Sequence, residues 1–148
     1  VLHMLRGQVG TDAFRTGIRE YYRRHQNRNA SSDDFRRAFE ETSGQDLKWF
    51  FAQWLHVKLN PSVDGGWRYD PVAKAITIDL AQTQGGSPYR LPIEVGIVSD
   101  SWATVRTEKI VLAEAGQYFV IASERAPKDV VLDPNRWMFL PGLKFVRR

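Results

Sequence analysis

A chain of 148 residues is long enough for one ordinary domain or two small ones, and its 43% hydrophobic and 12% aromatic content belongs to a folded chain rather than a disordered one. It has no cysteine, which excludes disulfides and thiolate metal sites, and no apolar run near the roughly 20 residues a bilayer-spanning helix needs. The net charge of +4 is carried mostly by residues 1–60, with ten Lys/Arg against seven Asp/Glu; residues 61–148 hold eleven against ten.

Residues 1–9 have the spacing of a helix, with Val1, Leu2, Leu5 and Val9 on a common apolar face. The chain opens inside this apolar stretch, without Met and without a basic-then-apolar leader pattern, as expected of a piece of a longer protein. Gly10 ends the first helix and Thr11 is the expected N-cap of the second, which runs from about Asp12 to His25. Phe14, Ile18, Tyr21 and Tyr22 form its expected core face. Ser31 or Ser32 caps a third helix, with Asp33 and Asp34 in its first turn, where the helix dipole favours anions, and Phe35, Ala38 and Phe39 on its buried face. Ser43-Gly44 stops it. A fourth helix follows from Asp46 to about His56, with a heavy stripe of Leu47, Phe50, Phe51, Trp54 and Leu55.

Near residue 60 the apolar rhythm changes from helical turns to alternation. Asn60-Pro61 ends the helical part, and Asp64-Gly65-Gly66 is expected to precede the first strand. Ile76, Ile78 and Leu80 alternate with Thr77 and Asp79, Leu91, Ile93, Val95 and Ile97 with Pro92, Glu94 and Gly96, Val105 with Thr104 and Arg106, Ile110 with Lys109, and Phe119 and Ile121 with Tyr118 and Val120. Val130-Val131-Leu132 and Trp137-Met138-Phe139-Leu140 close the series. Turn signals at Asp70-Pro71, Gly85 to Pro88, Ser99 to Ser101, Glu114 to Gly116, Ala126-Pro127 and Asp133 to Asn135 separate the runs. Seven or so short strands at this spacing, uninterrupted by helices, predict an antiparallel β-sandwich. The fold class is α+β: a short helical bundle over 1–59, then a sandwich over 60–148.

Little in the sequence can run chemistry. His3, His25 and His56 lack a second His at i+3 or i+4, and no HExxH occurs. Asp33/Asp34 and Glu40/Glu41 are adjacent on helices, so the members of each pair point apart and cannot work as an acid–base couple. No serine lies in G-x-S-x-G, and Gly65-Gly66 and Gly85-Gly86 are expected as hairpin glycines. No catalytic, cofactor-binding or metal-ligating residue is therefore assigned. Arg19, Arg23, Arg24 and Arg28 make the one dense basic run; with Glu20 four residues before Arg24, they are expected as the solvated face of a helix, not a nucleic-acid surface. Trp67, Tyr69, Tyr89, Trp102, Tyr118 and Trp137 are candidates for an exposed aromatic face; core packing is the simpler expectation for most.

Three stretches, and a fourth near the end of the chain, carry a resemblance to a known family. Val1 to Arg6 with Val9 to Phe14 looks like the helix that follows the active-site tyrosine of gluzincin zinc aminopeptidases, the membrane alanyl aminopeptidase and leukotriene hydrolase family. Asn29-Ala30-Ser31-Ser32-Asp33-Asp34-Phe35, followed by Glu40 to Leu47, is similar to that family's "T-x-x-D-F…S-G-x-D-L" helix pair, and Trp49 to Leu55 to its "F-F-x-Q-W-L" signature. Val131 to Trp137 resembles the close of its sandwich domain. Leu59-Asn60-Pro61-Ser62-Val63 departs from the family's usual "G-x-P-x-L" linker. The resemblance implies a longer parent that hydrolyses N-terminal residues from peptides with zinc-activated water. In the family the HExxH helix, the distal Glu and the tyrosine precede the segment that resembles this chain. It follows that zinc belongs to the parent and not to this chain, that the chain's partner is the rest of its own catalytic domain, and that peptide substrate is bound by the parent. Tyr21 and Tyr22 match no catalytic position. The alternative reading is an independent sandwich module binding peptide or glycan. Helices stripped of their covering domain are also expected to self-associate.

Overall fold

The computed structural model describes residues 1–100 and 105–148. It divides into two compact units, Val1–Lys58 and Leu59–Arg148.

The first unit holds four helices: α1 Leu2–Val9, α2 Thr11–His25, α3 Ser32–Ser43 and α4 Lys48–His56. Gly10, at φ 89°, turns the chain between α1 and α2, a backbone angle that glycine adopts without the Cβ penalty. Gly10 also takes the cap position expected of Thr11, its carbonyl accepting from Phe14 N at 2.9 Å. Thr11 is the first helical residue, and its Oγ1 accepts from Arg6 Nε at 3.1 Å. Ser31 caps α3 in a reciprocal box: its hydroxyl accepts from Asp34 N, while Asp34 Oδ2 accepts from Ser31 N. Gly44, in the left-handed conformation, closes the other end. Glu40 Oε1 accepts from Leu47 N at 2.9 Å and Asp46 Oδ1 from Lys48 N at 2.9 Å, so the start of α4 is held by side chains already in place.

The core of this unit is a ladder of rings. Phe14 meets Phe39 at 5.4 Å between centroids, Phe39 meets Phe35 at 4.7 Å, and Phe35 meets Tyr21 at 4.9 Å edge-on and Phe51 at 6.1 Å. Leu5, Ala38, Phe39 and Leu47 are fully buried. The inward side of α2 is centred on Gly17, flanked by Phe14 and Tyr21, because the Phe39 ring packs directly against that glycine. This rotates the helix away from the expected face: Ile18 is exposed, and Tyr22 is 68% exposed. Leu55, placed in the apolar stripe of α4 by its spacing, is exposed as well.

Among the described residues the second unit has seven strands: β1 Ser62–Asp70, β2 Ala75–Gln82, β3 Leu91–Val98, β4 Val105–Leu112, β5 Gly116–Ala122, β6 Asp129–Leu132 and β7 Gly142–Arg147. They form one sheet in the order β5-β2-β1-β7 and another in the order β4-β3-β6. All pairings are antiparallel except β1 with β7. Alternate residues are buried in each sheet: Val63 and Trp67 in β1, Ile76, Ile78 and Leu80 in β2, Leu91, Ile93, Val95 and Ile97 in β3. The fold is therefore α+β, helices first and a two-sheet sandwich after them.

Two boundaries differ from expectation. Gly65-Gly66 lies inside β1, not before it. A Cβ on Gly65 would strike the carbonyl oxygen of Asp79 on β2 and come within 2.7 Å of Leu80 Cδ2; one on Gly66 would lie 2.8 Å from the Val146 carbonyl on β7. The pair that reads as a turn signal is a packing requirement of a central strand. Likewise Trp137 to Leu140 is an irregular connection, and the last strand is β7. Asp133, at φ 51°, turns its carboxylate onto the amides that a strand would need, accepting from Trp137 N at 2.7 Å and Met138 N at 2.8 Å.

Candidate functional site

The residues that could carry chemistry are mostly committed to structure. In the helical unit, Glu20 accepts from Arg23 at 2.7 and 2.9 Å and from Arg24 at 2.5 Å, and Arg24 reaches across to Glu41 on α3 at 2.6 Å. The guanidinium groups of Arg23 and Arg24 hold the Glu20 carboxyl down at about 2, and Arg24 lowers Glu41 as well. Two members of the basic run are thus paired with carboxylates of their own unit, while Arg19 and Arg28 are exposed.

The two carboxylate pairs separate as helix geometry requires. Asp33 accepts from Arg36 at 3.3 Å, whereas Asp34 closes the cap with Ser31, which lowers its pKa. Glu40 accepts from Arg36 at 2.6 Å and from the amide of Leu47, whereas Glu41 pairs with Arg24. The histidines fall on different helices: His3 in α1, His25 at the end of α2 beside Tyr21 with ring centroids 5.2 Å apart, and His56 at the end of α4. Among the described residues, no three or more of His, Asp and Glu converge as metal ligands.

In the sandwich unit, Trp67 and Tyr89 are 1% and 3% exposed, so neither offers a face to a ligand. Tyr89 donates its hydroxyl to the carbonyl of Leu59, and burial pushes its pKa up. Tyr69 is half-buried and donates to the Ser123 carbonyl at 3.2 Å; Trp137 is half-buried; Trp102 lies outside the described residues. Tyr118 alone of the five described candidates is broadly exposed. A shallow recess of about 600 Å³ lies beside β6, lined by Val105, Thr107, Val131, Pro134, Asn135 and Arg136 among others. A Cβ on Gly96 would lie 2.9 Å from Val131 Cγ2 and 3.1 Å from Pro134 Cγ, so a larger residue there would crowd two of the side chains that line the recess. Thr107 and Asp133 both line the recess, and the Asp133 carboxylate accepts from the amides of Trp137 and Met138. No helix among the described residues is long and apolar enough to cross a membrane.

Sequence and structure comparisons agree with this arrangement. Residues 1–54 match the peptidase family M1 domain. Aminopeptidase N of Caulobacter vibrioides is 36% identical over 77 residues, 52% of this chain and 9% of that protein. Aminopeptidase N of Escherichia coli K12 is 30% identical over 88 residues, 60% of this chain and 10% of that protein. The crystal structure of Legionella pneumophila aminopeptidase A in complex with aspartic acid superposes on 85% of this chain with a TM-score of 0.71 and 18% identity, using 15% of that chain. The likeness to the Legionella structure establishes a shared fold, and the chain spans about a tenth of the length of its curated relatives. The chain is accordingly related to the M1 aminopeptidases, residues 1–54 being the part that is similar to the peptidase family M1 domain.

Proposed function

We propose that this chain supplies the last helices of the catalytic domain, and the sandwich that follows them in sequence, in a longer zinc aminopeptidase that removes N-terminal residues from peptides. By itself it is structural and catalytically inactive. The observation that carries this reading is the M1 match, which runs through the helical unit and stops within α4. In the longer protein zinc supplies an activated water for peptide hydrolysis. The residues of this chain do other work. Glu40 and Asp46 fix the entry of α4, the Phe14–Phe39–Phe35–Phe51 rings lock α2, α3 and α4 together, and the Ser31–Asp34 cap sets the start of α3. A catalytic domain needs such a rigid backing because displacements near 1 Å at the reacting centre cost rate steeply.

The test is zinc binding. The 148-residue chain, dialysed against zinc, should retain no stoichiometric metal, while a chain extended on its N-terminal side into the preceding coding sequence should bind one zinc. Stoichiometric zinc held by the shorter chain would overturn the proposal.

A further inference from the structure

The chain between α4 and β1, residues 57–61, is neither helix nor strand, yet most of it is held. α4 keeps hold of Val57, whose amide donates to the Gln53 carbonyl at 3.4 Å. From Leu59 onward the chain is gripped by the end of β2 and the segment that follows it. The Tyr89 hydroxyl donates to the Leu59 carbonyl. Leu59 Cδ1 lies by Gly85 and Gly86, 3.9 Å from a Cβ placed on either glycine. Ser62 donates its amide to Gln84 Oε1 at 3.0 Å, and its carbonyl accepts from Thr83 N at 2.8 Å. Pro61, just before Ser62, is buried and has a fixed φ.

Tyr89 is itself immobilised. Its side chain is buried, and Gln82 takes both of its backbone groups. Tyr89 N donates to Gln82 Oε1 at 2.8 Å, and Gln82 Nε2 donates to the Tyr89 carbonyl at 2.7 Å. Gln82 Oε1 also accepts from Gln84 Nε2 at 2.8 Å, so the side chain that holds Tyr89 is joined to the one that holds Ser62. A hydroxyl on a buried ring with a pinned backbone loses little further freedom on reaching Leu59.

We infer that Tyr89 is a latch on the connector: its hydroxyl makes Leu59–Ser62 a fixed part of the sandwich unit and guards the Lys58–Leu59 bond against trypsin-like proteases. Lys58 and Leu59 are both exposed, and an exposed connector is a preferred place for a proteolytic nick. Cleavage needs more than an exposed lysine. The residues on both sides of the bond must leave the fold, and the rate follows the population of that open form. Here the residues after Lys58 open only when the Leu59 carbonyl leaves Tyr89. Loss of the hydroxyl should therefore raise the open population roughly two- to tenfold, the worth of one hydrogen bond. This inference does not depend on the peptidase reading.

Digestion of the 148-residue chain with trypsin, followed by mass spectrometry, reads the cut after Lys58. Tyr89→Phe should raise its rate roughly two- to tenfold and leave the cut after Arg28, between α2 and α3, unchanged. Tyr69→Phe removes another hydroxyl of the same unit, the one donated to the Ser123 carbonyl, and should leave the Lys58 cut unchanged. In the unsubstituted chain the Leu59 amide should be as rigid as that of Ser62 by NMR relaxation, a reading that needs no variant. No faster cut after Lys58 in Tyr89→Phe, an equal rise in Tyr69→Phe, an equal rise after Arg28, or a Leu59 amide as mobile as the chain ends would each overturn it.

Discussion

The ring of Phe39 on α3 lies so close to Gly17 on α2 that a Cβ at residue 17 would sit 2.8 Å from both Cδ1 and Cε1. Phe39 is fully buried, so its ring has little room to move. Gly17→Ala should therefore lower the stability of the chain by about 1 kcal/mol. Overpacking costs roughly 1–3 kcal/mol, and the better helix propensity of Ala returns up to about 1 kcal/mol of it. Gly17→Val should cost more. Chemical denaturation followed by far-UV circular dichroism measures both; an Ala variant more stable than the parent would show that the ring yields freely.

The same crowding governs the sandwich. Gly65→Ala drives a methyl group into the Asp79 carbonyl and the Leu80 side chain, both on the neighbouring strand. Because backbone cannot give way as a side chain can, the expected loss is about 3 kcal/mol or more, at the top of the range for overpacked cores. Deuterium exchange of the β1–β2 amides should rise in the variant. Native-like protection in both strands would refute the contact.

Asp133 is buried, with both carboxylate oxygens engaged by the amides of Trp137 and Met138. Asp133→Ala leaves those amides without their acceptor and should cost about 1–3 kcal/mol, the penalty for unsatisfied buried polar groups. The approach of β7 to β1 should loosen first, since Asp133 shapes the connection that delivers β7. Limited proteolysis within residues 136–141 reads this directly; cleavage no faster than in the parent would count against it.

Acid should act on the helical unit through Glu20. Its carboxyl is held at about 2 instead of its ordinary 4.5, first by its hydrogen bond to Arg23 and then by Arg24. A depressed folded value means that the contribution is complete above pH 4.5 and is lost as pH falls from there towards 2. The pair is at the surface, so salt should weaken it. A carbon-detected NMR titration should place the Glu20 midpoint well below 4, and Arg23→Gln should raise it. A midpoint near 4.5 in the parent would show that the contact is not populated in solution.

The switch of apolar period near residue 60 was the most legible feature, because a two-sided core imposes 3.6-residue spacing on α3 and alternation on β2 and β3. Gly44 was equally plain, and the cap of α3 was legible as Ser31 or Ser32, of which the structure uses Ser31. What stayed hidden depended on partners distant in sequence. Phe39, arriving from α3, packs on Gly17, so of the expected α2 face Phe14 and Tyr21 turn inward while Ile18 and Tyr22 are exposed. Gly65-Gly66 carries the signature of a turn, and only the approach of β2 and β7 makes it a strand. Trp137 to Leu140 has strand composition, but the Asp133 carboxylate takes two of its amides. As for chemistry, the histidines and carboxylate pairs read as helix furniture, and the ion pairs and cap contacts account for those carboxylates.

The central claim is that peptidase chemistry belongs to the longer protein and not to this piece of it. Hydrolysis of an aminoacyl chromogenic substrate, followed with added zinc for the 148-residue chain and for a chain extended on its N-terminal side, tests it most directly. The account predicts turnover from the extended chain only; turnover by the 148 residues alone, abolished by a chelator, would contradict it.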